Sequence, residues 1–350
     1  MTQPTPSLSV CVINHNYGRF VADAIQSALA QEGDVEVIVV DDGSTDNSRE
    51  VIESFGDSVR TVFKENGGQG SAFNAAIKVS TGETLLFLDA DDMLEPGIAA
   101  AVIAAIADDP SVVKVQFRMR MVDHRGRPDG TLLPVRAGIL PSGDLRSHVL
   151  RYRTYPWPPS SAMAYRRSAV EALLPVPEAR HFNGCCDAWL SELLPVLGKV
   201  RSLDQVGAAY RRHDSNDFVG TSLRPEWLRM KIELTRATHA ELVDLVREQG
   251  LDDAPVSPEA PLDAAYAGFR VASMVLQPDQ HPIRSDRRLS ATMQGIRGLV
   301  GNPYFGPRQT LLRSVWFLIA GLTPRPIARR AVRRWVPDGP QPPPWVRKTD

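Results

Sequence analysis

Three carboxylates, Asp89, Asp91 and Asp92, follow directly on the apolar run Thr84–Leu88 (TLLFL). A run of that length without alternation suits a strand buried on both faces, as in a parallel sheet covered by helices. Carboxylates crowded at the end of such a strand repel one another unless a cation or hydrogen-bond donors sit among them. Hard divalent ions, Mn2+ or Mg2+, take oxygen ligands and bind phosphates at the same time, so the cluster suits a metal that also holds a phosphorylated ligand. The other use of the same residues is to cap the helix that Glu95-Pro96-Gly97 opens.

What precedes the cluster decides between these uses. Leu8–Ile13 (LSVCVI) has the composition of a first buried strand and runs into the polar turn Asn14-His15-Asn16-Tyr17-Gly18-Arg19. Phe20–Gln31 carries apolar residues at helical spacing, and Val35–Val40 (VEVIVV) is a second buried strand ending in Asp41-Asp42-Gly43-Ser44. A helix through Phe55, a third strand over Val59–Phe63, a helix over Ser71–Val79 and the Thr84–Leu88 strand complete a βαβαβαβ pattern. Short connections of that kind imply right-handed crossovers and a mostly parallel, doubly covered sheet. Ligands of such sheets bind beyond the carboxyl ends of the strands. Three of the four strand ends carry polar clusters, so Asn14–Asn16, Asp41-Asp42 and Asp89–Asp92 should converge in one cleft. Gly67, Gly68 and Gly70 stand before a helix N-terminus, where backbone can approach a phosphate or simply make a turn.

On these residues the chain resembles the nucleotide-binding half of the inverting family 2 glycosyltransferases, which have the GT-A fold. The matching pieces are VCVINHNYGRFVADAIQSALAQ, VEVIVVDDGSTDNSREVI, ENGGQGSAFNAAI and GETLLFLDADDMLEPG. The resemblance is tight over residues 8–97 and loose to about residue 216. It implies an α/β fold, Rossmann-like, with a mostly parallel central sheet between helices. It implies that His15 stands where an aromatic residue stacks on the donor base, and that Asp42 hydrogen-bonds that base, a uracil by preference. Asn14, Asn16 and Gly67 belong to the same donor site. Asp89-Ala90-Asp91 matches the DxD motif, with Asp89 near the ribose or sugar and Asp91 on the metal that bridges the diphosphate. Asp92 assists there or caps the helix.

The acceptor half is less regular. Val112–Phe117 is a further strand, Arg125–Gly130 a hairpin turn, and the Pro- and Gly-rich residues 131–160 suit no packed element. That stretch is expected to be a loop over the acceptor, with Trp157 either a sugar platform or a core residue. Ser161–Tyr165 has strand character, Ser168–Leu174 is a short helix, and the run from Lys199 to Tyr210 looks like edge strands. Inverting transfer needs a base for the acceptor hydroxyl. The resemblance implies an acid just before a helix reading DxWL; Asp187-Ala188-Trp189-Leu190 keeps it, although Cys185 stands where the commonest form has an Asp. Asp187 is the expected base, its alternative role being a helix N-cap. Cys185 and Cys186 suit small buried apolar positions. Tyr210–Asn216 resembles the YRxHxxN segment that closes the catalytic domain, where His213 would ligate the metal or touch the diphosphate and Arg211 and Arg212 would neutralise the leaving group.

With 43% hydrophobic and 23% charged residues the composition is ordinary globular, and a net charge of −1 gives no field for nucleic acid. Three cysteines make no disulfide framework, and neither a signal peptide nor a spanning helix is expected. The expected organisation is a GT-A domain over residues 1–222 (nucleotide-binding half 8–97, acceptor half 98–222), a C-terminal helical extension over 223–336 and a disordered tail over 337–350. Leu311–Leu322, followed by Arg325, Arg329, Arg330, Arg333 and Arg334 and flanked by Trp316 and Trp335, suits a peripheral membrane contact through residues 308–336 or packing on the chain itself or a partner subunit. The function that follows is metal-dependent transfer of a sugar, with inversion, from a nucleotide-diphosphate donor (a UDP-sugar favoured) to a saccharide or lipid-linked hydroxyl, at the cytoplasmic side, the inner face of the membrane. Two rivals remain: a nucleotidyltransferase, disfavoured by the Asn14–Tyr17 loop, and a degenerate sugar-nucleotide-binding scaffold.

Overall fold

The computed structural model describes residues 7–134, 140–178, 185–213, 224–251 and 262–334. These divide into two compact units, one within Met1–Arg146 and Pro156–His213, the other within Ser147–Tyr155 and Asp214–Asp350. The expected boundary at residue 222 and the expected tail over 337–350, with Trp335, lie outside the described residues.

The first unit runs β1 (Leu8–Asn14), α1 (Val21–Leu29), β2 (Val35–Asp42), α2 (Ser48–Glu53), β3 (Arg60–Lys64), α3 (Gln69–Val79) and β4 (Thr84–Asp89). It continues through β5 (Met93–Leu94), α4 (Ile98–Asp108), β6 (Val112–Val122), β7 (Pro128–Leu133) and the start of α5 (Arg146–Tyr152). After α5 come β8 (Met163–Arg166), α6 (Arg167–Glu171), α7 (Cys186–Leu197) and β9 (Lys199–Arg211). Among the described residues the strands form one sheet in the order β3-β2-β1-β4-β8-β6-β9-β5, with β7 paired to β6. The pairs β1–β2, β2–β3 and β1–β4 are parallel, as the βα alternation requires. β8 is antiparallel to both β4 and β6. Two reversals restore the direction, so β6, and β9 parallel to it, point their carboxyl ends the same way as β1, β2 and β4.

Both faces of the sheet are covered, which is why its strands lack polar alternation. Leu8, Val10, Val12, Val39, Leu86 and Leu88 are buried in one core with Ile25 and Ala28 of α1 and Val102 of α4. The alternate residues face the other side, where Phe87 stacks on Phe73 of α3 with ring centroids 3.9 Å apart. Fully burying side chains of this size contributes roughly 1.5–3 kcal/mol each.

Two expectations are corrected. Residues 131–160 are not all loop: they include part of β7 and all of α5, and Ser147–Tyr155 belongs to the second unit. β9 is not at the edge, because it lies between β6 and the two-residue β5. Glu95-Pro96-Gly97 opens α4 as expected, with Gly97 at φ +79° as its N-cap, after Met93 and Leu94 have paired with β9.

The second unit contains α8 (Pro225–Glu248), α9 (Ala264–Leu276), α10 (Arg288–Leu299), α11 (Pro307–Leu322) and α12 (Arg325–Arg334). Trp227, Ile232, Val271, Phe317, Ala328 and Val332 share its core. A side chain at Gly295 would collide with the Phe317 ring, so the absent Cβ lets α10 and α11 approach closely. Arg270 donates from its guanidinium to both oxygens of Asp286, and His281 Nε2 lies 3.0 Å from the same carboxylate. Burial works against the Asp286 charge, but the Arg270 and His281 contacts prevail and hold its pKa at about 2. A depressed carboxylate pKa stabilises the fold above the unfolded value near pH 4, and that stability is lost as pH falls through about 2. Asp286→Asn should therefore lower stability by about 2 kcal/mol or more at neutral pH. In urea unfolding at stepped pH the gap to wild type should close between about pH 4 and pH 2; a gap that ignores pH would show that the pair is not the source.

Candidate active site

The strand pairing sets the site. Asn14 at the end of β1 is in register with Asp41, and Ile13 with Asp89, so the three polar clusters lie side by side at the carboxyl edge. Asn14 Nδ2 donates to Asp41 Oδ1 at 2.7 Å and to Ser44 Oγ at 3.1 Å, while its buried Oδ1 has no hydrogen-bond partner among the described residues. Asn16, at φ +61°, accepts from the Thr45 amide at 2.7 Å, which pins the loop after β1 to the loop after β2. His15 is exposed at the rim, its Nε2 2.7 Å from Asn66 Nδ2.

Asp42 is buried but fully engaged. Its Oδ1 accepts from Lys64 Nζ at 2.5 Å and from the Gly67 amide at 3.0 Å, and its Oδ2 from the Gly68 amide at 2.7 Å. Asp42 thus organises the glycine loop, whose Gly67 and Gly68 N–H groups point at it. At Gly70 an added Cβ would meet the Pro177 carbonyl at 2.3 Å and Cys186 Sγ at 3.0 Å, so glycine here lets α3 close on the segment leading to α7.

The acidic cluster is held by β8 and β9. Asp92 is buried, and its oxygens accept from Ser161 Oγ at 2.7 Å and the Arg211 amide at 3.0 Å. Burial, reinforced by the Asp91 and Asp89 charges, pushes its carboxyl well above the usual range. Asp92 therefore joins the cluster to β9 and is not aimed at a ligand. Asp91 Oδ2 lies 2.9 Å from His213 Nε2, and the His213 ring packs on Phe20, centroids 4.6 Å apart, and on Tyr17 at 5.5 Å. Asp89 is half-buried, its amide donating to Ser161 Oγ at 3.1 Å.

Arg211 corrects the expectation of a leaving-group contact. It is buried, donating to Asp23 Oδ2 at 2.6 Å and the Asp91 carbonyl at 3.1 Å, with its guanidinium 4.8 Å from the Phe20 centroid. It is an internal clamp between α1 and the acidic loop. Arg212, just past the end of β9, approaches Asp129 at 3.8 Å.

Among the described residues no group of three or more His, Cys, Asp or Glu side chains could by itself hold a metal ion. Asp91 and His213 form a two-residue set. That fits a Mg2+- or Mn2+-type ion, which commonly takes one or two protein ligands and completes its shell with water and substrate phosphates. It does not fit a preformed protein cage.

Asp187 sits in the first turn of α7, half-buried, and accepts from the Ala188 amide at 2.8 Å. The N-cap residue is Cys185, which makes no side-chain cap hydrogen bond, and Asp187 is the second residue of the helix. Cys186 N donates to Gln69 Oε1 at 2.9 Å, which ties the start of α7 to the start of α3 at the carboxyl side of the sheet. Both adjacent cysteines are buried and unbridged, as expected. The buried Tyr165 hydroxyl is pushed up first by burial and then by the Asp187 and Asp89 charges.

Sequence reasoning missed Ser161, Asp23, Lys64 and Lys114. Lys114 is fully buried in β6, donating to Ser191 Oγ at 3.0 Å; burial drives its pKa well below the ordinary range, against the Asp187 and Glu192 charges. A lone Lys inside the apolar run VVKVQF was the available signal.

Residues 9–174 match the family model described as Glycosyl transferase family 2. An uncharacterized glycosyltransferase of Nostoc sp. (strain PCC 7120) is 35% identical over 222 residues, which is 61% of this chain and 67% of that protein. The chondroitin synthase of Pasteurella multocida is 36% identical over 132 residues, 37% of this chain, which spans only 13% of that protein. Among solved structures, S. aureus TarS 1-349 in complex with UDP-GlcNAc superposes with a TM-score of 0.56 at 18% identity, covering 93% of this chain and 90% of that one. With its parallel half-sheet and polar carboxyl edge, the chain belongs to glycosyl transferase family 2 and is a glycosyltransferase of the GT-A fold.

Proposed function

We propose that the chain moves a sugar, with inversion at the anomeric carbon, from a nucleoside-diphosphate donor to an acceptor hydroxyl, in a reaction that depends on Mn2+ or Mg2+. The observation that supports this most is the convergence of Asn14, Asp42, Asp89, Asp91 and His213 at one sheet edge, with Asp187 on the helix beside it. Asn14, His15, Asn16, Asp42 and Gly67 shape the base and ribose side of the donor site, the exposed His15 ring being free of the core and able to stack. Asp89 faces the sugar. Asp91 and His213 would hold the metal, which when bound would neutralise charge developing on the diphosphate as a Lewis acid. Asp187, in the first turn of α7, takes the proton of the acceptor hydroxyl as its oxygen bonds to the anomeric carbon and the bond to the diphosphate breaks.

A UDP-sugar is the favoured donor, in line with the UDP-GlcNAc bound in the TarS structure. The likeness to a chondroitin synthase favours a saccharide acceptor, free or lipid-linked, and a place in surface polysaccharide or glycolipid synthesis. A thermal-shift panel of UDP, GDP, dTDP and ADP, each with Mn2+, Mg2+ or EDTA, tests the reading. At about a hundredfold excess over its dissociation constant a ligand adds about 2.7 kcal/mol. One nucleotide, UDP by expectation, should raise Tm by several degrees only with metal; no shift with any nucleotide would overturn the proposal.

A further inference from the structure

We propose that α11 and α12 form a docking surface for an anionic lipid bilayer. Leu311, Leu312, Val315, Leu318, Ile319 and Leu322 are all exposed, between 36% and 64%. At 100° per residue they fall within one stripe about 120° wide along α11. The opposite face of the helix buries Trp316, Phe317 and Ala320 in the core of the second unit. Trp316 is therefore not the interfacial anchor its sequence position suggests; its indole donates to the Ala331 carbonyl at 3.3 Å, which fixes α12 against α11. A stripe of six large aliphatic side chains on one helix of a folded unit calls for a covering surface.

Charge identifies that surface. From Arg287 to Val336 the sequence has ten Arg and no Asp or Glu, in a chain whose net charge is −1. On α12, Arg325, Arg329, Arg330, Arg333 and Arg334 are exposed, as is the aliphatic Ile327. A groove of about 590 Å3 at the N-terminal end of α11, lined by Leu299, Phe305, Pro307 and Leu311, adds apolar room beside the stripe. Aliphatic side chains with clustered Arg are the composition that enters the boundary between anionic headgroups and acyl chains. Among the described residues no helix is long and apolar enough to cross a membrane, so the contact is with one leaflet.

The test is flotation of the full chain with vesicles of phosphatidylcholine alone or of phosphatidylcholine with phosphatidylglycerol. Wild type should float with the anionic vesicles, should be released by salt and should stay behind with the neutral ones. Arg330→Gln with Arg333→Gln should weaken binding roughly thirtyfold. Leu311→Glu with Leu318→Glu should weaken it more than about a hundredfold. Both pairs are exposed, and each variant should keep the wild-type nucleotide shift, which separates this proposal from the assignment of the active site. Absence of wild-type flotation overturns the proposal. So does unchanged flotation of both variants, or a dimer in light scattering that the Leu pair dissolves.

Discussion

Asp91→Ala should abolish metal-dependent nucleotide binding and lower transfer by about a thousandfold or more. The basis is the geometry of the site: Asp91 and His213 pair at 2.9 Å, whereas the Asp92 oxygens accept from Ser161 and the Arg211 amide. Asp91→Ala removes the only carboxylate of that pair. Truncation also removes the partner of His213, so a second variant separates charge from packing. Asp91→Asn keeps the shape and a polar contact to His213 but lacks the negative charge, and it should lose the metal-dependent shift as well. Mn2+ titration followed by the nucleotide shift is the readout. Full transfer in either variant would remove Asp91 from the site; a normal shift with lost transfer would move it from the metal to the sugar.

The parts of this site that could be foreseen lie on parallel strands. An apolar run that ends abruptly in acids, repeated at β2 and β4, fixes both the strand and the edge at which its end emerges, because parallel order leaves no choice of direction. Asn14, Asp41 and Asp89 align for that reason. The antiparallel part was harder, since β8 inserts between β4 and β6 although it follows β7 in the chain, and no local pattern specifies such a return. Ser161, which holds Asp92 and the Asp89 amide, was invisible on that account. Arg211 was misassigned because an Arg two residues from His213 looks like a phosphate contact, whereas its true partner, Asp23, is 188 residues away in sequence. The burial at the end of β9 was the missed clue: Arg211 and His213 are buried, whereas Arg212 between them is partly exposed. In the second unit, helix positions followed from periodicity, but which face of α11 is buried depended on Phe317 meeting Gly295, a contact between helices that spacing along one helix does not encode.

Asp187→Asn should lower kcat by about a hundredfold to ten-thousandfold while the nucleotide shift with metal stays at the wild-type value. The amide has nearly the carboxylate's shape and can still accept from the Ala188 amide through its oxygen, so the first turn of α7 should persist. What it loses is the capacity to take a proton. Two acids on α7 act on the buried Lys114, and their surroundings divide the roles. Glu192 is buried in the middle of the helix, and its charge, like that of Asp187, works against the burial that lowers the Lys114 pKa. Asp187 is half-buried, in the first turn of α7, next to Cys186, whose amide donates to Gln69 at the start of α3. Glu192→Gln is accordingly the control: it should cost stability in urea unfolding and leave kcat within a fewfold of wild type. With Cys185 buried as the cap of α7, Asp187 has no neighbouring acid in that turn to substitute for it. Turnover at the wild-type rate in Asp187→Asn would place the base elsewhere, and equal loss of the nucleotide shift would make Asp187 part of the donor site instead.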